Sequence, residues 1–229
     1  MADKILSTAE KFLMIAHHPE KGRFMVSQMF IQYGIAGAIL LDMTLGNSFD
    51  MEDGKLMLKE ARPGDKTVTG IVASMISESG KPRKAGYWVR RIAGRYNRYL
   101  KQMLKEMEQK RLVRLEDRKF LGLIPYRKSF LIESYTRANL IRQLKNSVLT
   151  YKGASEESMA LAGLVHACRM HRLLSSDRDE LKTIKTKLKM IVKDSPVSDA
   201  VGKTIREVQI AIMASITGAV VASTAGGRH

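Results

Sequence analysis

Six residues, Trp88, Ile92, Tyr96, Tyr99, Met103 and Met107, follow one another at steps of 4, 4, 3, 4 and 4. Only an α-helix brings such positions onto one face, so the spacing predicts a helix from Tyr87 to about Lys110 with a single buried stripe. A second stripe, Arg91, Arg95, Arg98 and Lys105, runs along another face, with Arg90 and Lys101 beside it. Four arginines within nine residues repel one another unless an anion neutralises them. The guanidinium fork suits phosphate oxygens, which makes this stripe the first candidate for function.

The charge distribution strengthens that reading. The chain of 229 residues carries a formal net charge of +16, and between Lys81 and Lys145 there are 19 Lys or Arg against five acids. Positive charge concentrated in this way points to a polyanionic partner, either nucleic acid or an anionic membrane surface. A well-solvated basic face is the plainer alternative. One cysteine, Cys168, excludes an internal disulfide framework and a zinc site built from cysteines. The N-terminal apolar run, Phe12 to Ala16, is too short for a signal peptide. No run reads as the 18 or so apolar residues of a membrane span, so a soluble cytoplasmic chain is expected.

Most of the remaining sequence also reads as helix. Ser7 with Glu10 three residues on is a capping-box signature for a first helix, and "RFMVSQ" has the composition of a short strand. Apolar residues dominate from about Met29 to Leu45, where Gly46-Asn47 stops the helix. "FDMEDGKLMLK" alternates and turns at Asp53-Gly54, a hairpin signal. "ARPGDKTVTG" and "ESGKPRKAG" read as loops around a helix from Ile71 to about Ser77, and three or four more helices, punctuated by Gly153, Pro196 and Gly202, follow Ser134. The fold class is mainly α: a single helical domain with small surface β-hairpins.

Two β-like runs joined by a turn follow the long helix. In "RKFLGLIPYRK", Phe120, Leu121, Leu123, Ile124 and Tyr126 form an apolar tip held between Arg118-Lys119 and Arg127-Lys128. An apolar tip with a basic collar fits a peripheral membrane contact, the tip entering the acyl boundary and the collar meeting lipid phosphates. Two other readings stay open. The hairpin packs its apolar side on the domain, or it is the wing of a winged-helix nucleic-acid binder whose helix 87–110 lies in a groove with Arg95, Asn97 and Arg98 as base readers. Signals for catalysis are weak, and no enzyme activity or cofactor is expected. His17, His18, His166 and His171 lack an accompanying acidic cluster with metal-ligand spacing, and no phosphate-loop or nucleophile-elbow pattern occurs.

Six stretches, taken in order, resemble the Golgi phosphoprotein 3 family: "PEKGRFMVS", "YGIAGAILLDMTLGNSFDMEDGKL", "YWVRRIAG", "EQKRLVRLEDRKFLGLIP", "LAGLVHACRMHRLL" and "IREVQIAIMASI". The resemblance implies one mainly helical domain over residues 1–229 with its core at about 8–217. It also implies a peripheral membrane habit on the cytoplasmic side, at the Golgi face in a eukaryote. An apolar hairpin would dip into the bilayer beside a phosphatidylinositol 4-phosphate site, and the Phe120–Tyr126 tip falls where that hairpin belongs. It allows an adaptor role toward cytosolic tails of membrane enzymes, and self-association through the hairpin at Phe49–Leu58. The family's lipid-site tryptophan and helix-internal arginine correspond to Ser27 and Ala36 here, and in an ungapped register its two basic residues on the long helix correspond to Asn97 and Leu100, with Arg98 and Lys101 one residue along. Without the long N-terminal tail of eukaryotic members, the chain resembles a bacterial-type member. The site expected is therefore a general anionic-headgroup site, with Arg90, Arg91, Arg95, Arg98 and Lys101 on lipid phosphates and Phe120, Leu121, Leu123 and Ile124 inserted.

Overall fold

The Ser7 hydroxyl accepts from the Glu10 amide while the Glu10 carboxylate accepts from the Ser7 amide, which closes the capping box of helix α1 (Thr8–Ala16). Asp42, from the far end of α2 (Gln28–Leu45), adds to the same terminus. Its two oxygens accept the Thr8 and Ala9 amides at 2.6 and 3.0 Å. The computed structural model describes residues 5–59, 65–120, 123–150, 154–194 and 200–225. Among these residues seven further α-helices follow: α3 (Val68–Ser77), α4 (Ala85–Ala93), α5 (Tyr96–Gln109), α6 (Ser134–Thr150), α7 (Glu156–Ala167), α8 (Arg178–Asp194) and α9 (Ala200–Ala225). A 3-10 turn at Met170–Leu173 links α7 to α8.

Helix α2 is the axis of the core, packed against α1, α4, α7 and α9. Its glycines are close-approach points. A Cβ on Gly34 would lie 2.1 Å from the Phe12 ring, and one on Gly37 would lie 2.1 Å from Ile212 Cδ1. Among the described residues two helices are apolar enough, by length and composition, to cross a bilayer, unlike the sequence expectation: Gln28–Leu45 with mean hydropathy 1.2 and Ile205–Ala222 with 1.5. Core helices pass the same test, and 61% of the first stretch is buried inside the fold. The second is 39% buried, with Ile210 and Val221 facing outward.

The strands match the hairpin readings with one addition. β1 (Phe49–Glu52) and β2 (Lys55–Leu58) pair antiparallel through a turn in which Asp53 and Gly54 have φ of 51° and 69°. Both values are positive, as a type I′ turn demands. β3 (Arg83–Lys84), in a stretch expected to be loop, adds to the β2 edge. β4 (Val113–Phe120) and β5 (Ile124–Leu131) form the second hairpin.

Other expectations are corrected. "RFMVSQ" makes one isolated bridge, His17 to Phe24, and then Ser27 starts α2. Helix α3 begins three residues before Ile71 because Thr67 caps it, its hydroxyl accepting from the Gly70 amide. Gly202 lies inside α9. Gly153 and Pro196, and most of the loop before α3, lie outside the described residues.

Candidate anion-binding site

The helix expected over 87–110 is broken. Gly94 ends α4, Arg95 leaves helical geometry with φ −115° and ψ 19°, and the chain restarts as α5 at Tyr96. The apolar stripe survives the break, since Trp88, Ile92, Tyr99, Met103 and Met107 are all buried, while Tyr96 is only half-buried. Of the base readers named for the winged-helix reading, Asn97 and Arg98 lie exposed on α5 and Arg95 lies at the break before it.

The break redistributes the basic stripe. Arg91, Arg95 and Arg98 line one cleft of about 800 Å³ between α3 and the α4–α5 corner, together with Lys66 and two acids, Asp65 and Glu78. Arg95 reaches down to the floor, its Nη1 3.6 Å from Met75 Sδ, which also takes the Tyr99 hydroxyl at 3.7 Å. Arg91 Nη1 donates to the Tyr87 hydroxyl at 3.4 Å. Among the described residues none of the three arginines makes an ion pair. Arg90 and Lys101 lie elsewhere. Arg90 lines a cleft of about 490 Å³ on the other flank of α4, with Lys55, Arg83 and Lys84. Lys101 lines a groove of about 370 Å³ between α5 and the β4–β5 hairpin, with Asn97, Leu100 and Arg127.

At the hairpin tip Leu123 is 83% exposed, and Tyr126 is exposed beside it. The strands pair out to Phe120 and Ile124, and Leu121 lies outside the described residues. The collar is less cationic than its sequence. Arg118 pairs with Glu116 and Arg127 with Asp117. Hydrogen bonds from these guanidinium groups hold the Glu116 and Asp117 carboxyls below the usual carboxylate range. Sequence reasoning missed both pairs because they depend on side-chain geometry along and across the hairpin.

Fold, cleft and hairpin can be set beside known proteins. The family model for Golgi phosphoprotein 3 (GPP34) matches residues 8–208. The chain belongs to the Golgi phosphoprotein 3 family. No curated protein matches it. Of the family positions named from sequence, Asn97 and Leu100 line the groove under the hairpin. Ala36 is fully buried, and Ser27 is exposed at the start of α2 without capping it.

The histidines and the cysteine are held by the fold. His17 is buried, with Nε2 3.0 Å from Ser129 Oγ and Nδ1 2.8 Å from the His18 carbonyl, and burial lowers its pKa. Burial also lowers His166 and His171, and pushes the Cys168 thiol far above its ordinary value. Among the described residues no group of three His, Cys, Asp or Glu is placed to hold a metal ion.

Proposed function

We propose that this member of the Golgi phosphoprotein 3 family is a non-enzymatic peripheral membrane protein that binds anionic phospholipid headgroups on the cytoplasmic face. The supporting observation is the convergence of Arg91, Arg95 and Arg98, without ion-pair partners, on one cleft. Three like charges gathered there repel one another, so an anion seated between them lowers the energy of the site, and phosphate offers each fork two acceptors. Lys66 adds attraction, and Asp65 and Glu78 provide acceptors for headgroup hydroxyls.

Insertion of the exposed Leu123 tip adds an apolar contribution of about 25 cal/mol per Å² buried. Binding then weakens with salt without vanishing. With Ala36 in the core and Ser27 in place of tryptophan, the site suits anionic headgroups in general more than one phosphoinositide. Capture of cytosolic tails of membrane enzymes, and self-association through the β1–β2 hairpin, are compatible additions supported by family membership.

Vesicle flotation tests the reading. Recovery with vesicles containing phosphatidylglycerol should exceed recovery with neutral phosphatidylcholine vesicles, and Arg91→Gln/Arg98→Gln should remove most of the difference. Equal recovery on both vesicles, or retention of duplex DNA in place of vesicles, would overturn it.

A further inference from the structure

The second cleft, on the far flank of α4, is also built for an anion. Among the described residues, Lys55, Arg83, Lys84 and Arg90 line about 490 Å³ with one acid, Glu207. Among the described residues none of these four cations makes an ion pair or a side-chain hydrogen bond, although Arg83 stacks over the Tyr87 ring at 5.1 Å. In the strand register Lys55 has Lys84 opposite it on β3 and Glu52 opposite it on β1. Like charges placed directly opposite destabilise a sheet, and an anion seated by Lys55 and Lys84 offsets that pairing. Helix α4 starts in the same place, and its first cap, Lys84, makes no side-chain cap bond, so the positive end of the helix adds to the field.

The two clefts are neighbours. Tyr87 lines the second, while its ring also carries the Arg91 guanidinium of the first at 6.0 Å. The result is one cationic belt across α4 with an aromatic divider between two seats. We propose that Lys55, Arg83, Lys84 and Arg90 form a second site for a phosphate-class anion, so that the protein holds two such anions side by side across Tyr87. This rests on the headgroup reading of the first cleft and goes beyond it. Its ligand chemistry is a pair of phosphate groups, whether two adjacent headgroups of a lipid surface or two free phosphates. Exposed Ile210 on the rim gives the glycerol portion of a headgroup an apolar contact.

Two measurements on the full chain test the pair of sites separately. Inorganic phosphate is titrated while the amide resonances of Gly86, in the second cleft, and Ser79, in the first, are followed by NMR. In parallel, flotation on phosphatidylglycerol vesicles compares Arg83→Gln/Lys84→Gln with Lys185→Gln/Lys189→Gln, an equal loss of charge on α8. The expected results are saturable movement of Gly86 that the Arg83→Gln/Lys84→Gln variant abolishes, and about a 30-fold weaker vesicle affinity for that variant against about two-fold for the α8 control. A response to phosphate alone assigns the second seat to free anions, and a response to vesicles alone assigns it to headgroups. If neither responds, the second site is overturned. The first-cleft reading then stands or falls separately, on Ser79 and the Arg91→Gln/Arg98→Gln variant.

Discussion

Arg127 grips Asp117 across the β4–β5 hairpin through two parallel hydrogen bonds, Nε to Oδ1 at 2.6 Å and Nη2 to Oδ2 at 3.0 Å. The residues are register partners, and the pair ties up one of the collar cations that would otherwise face a membrane. Both groups are exposed, so the pair adds little to stability. Asp117→Asn should therefore leave the melting temperature unchanged. It frees one unit of positive charge, which should strengthen binding to phosphatidylglycerol vesicles about five-fold at low salt. The gain should vanish near 1 M salt, where the screening length is about 3 Å. A variant that binds no better at low salt would show that the collar does not meet the headgroups.

The α1–α2 contact depends on Gly34, which sits under the Phe12 ring. Gly34→Ala forces a Cβ to 2.1 Å from Phe12 Cζ, and Phe12 is fully buried, with a rigid ring that has nowhere to turn. The expected cost is about 1–3 kcal/mol, read as a lower urea midpoint. Gly37→Ala meets both Cδ1 and Cγ1 of the equally buried Ile212, at 2.1 and 2.7 Å, and should cost a similar amount at the α2–α9 contact. An unchanged urea midpoint for Gly34→Ala would show that α1 and α2 are not held at this distance.

Much of this was legible in the sequence for identifiable reasons. The Ser7–Glu10 capping box and the Asp53-Gly54 turn are local devices, decided within four residues of chain. The break at Gly94-Arg95 was hidden because the apolar spacing continues through it: Ile92 and Tyr99 are buried on either side as one helix would require. β3 is two residues long, too short for any alternation, and exists only because Lys55 and Leu56 offer it a partner from a distant segment. For the site, arginine spacing identified the right side chains but not their grouping. Which arginines share a cleft depends on where α3 lies and on the turn at residue 95. The ion pairs that quiet the hairpin collar follow from its geometry, which composition does not carry.

Leu123, 83% exposed at the hairpin tip, has no packing role that its loss would disturb. Leu123→Ser should fold with wild-type stability and still lose much of its vesicle recovery, since the side chain contributes about 1.5–3 kcal/mol when buried in lipid. The loss should persist at high salt, unlike that of the arginine variants, because apolar burial is not screened. Undiminished recovery with the serine variant would remove the hairpin from the membrane contact.

His17 ties the end of α1 to β5 through Ser129, and packs edge-on against Phe24 with ring centroids 5.3 Å apart. Burial is the main cause of its lowered pKa, with the nearby Arg137 charge acting in the same direction. A histidine depressed in the folded state contributes stability that is complete above its unfolded value of 6.5 and is lost as pH falls through the lower folded value. His166 and His171 shift in the same direction and add to the slope. The buried carboxyls Asp42 and Glu106 are raised, so their contribution is complete below the ordinary carboxylate range and is lost as pH rises through their folded values. Comparing His17→Gln with wild type cancels them. The urea midpoint of wild type should fall between about pH 7.5 and 5.5. His17→Gln should start lower at pH 7.5, having lost the Phe24 contact, and fall less over the same interval. Parallel slopes for the two proteins would show that His17 titrates as freely in the folded chain as in the unfolded one.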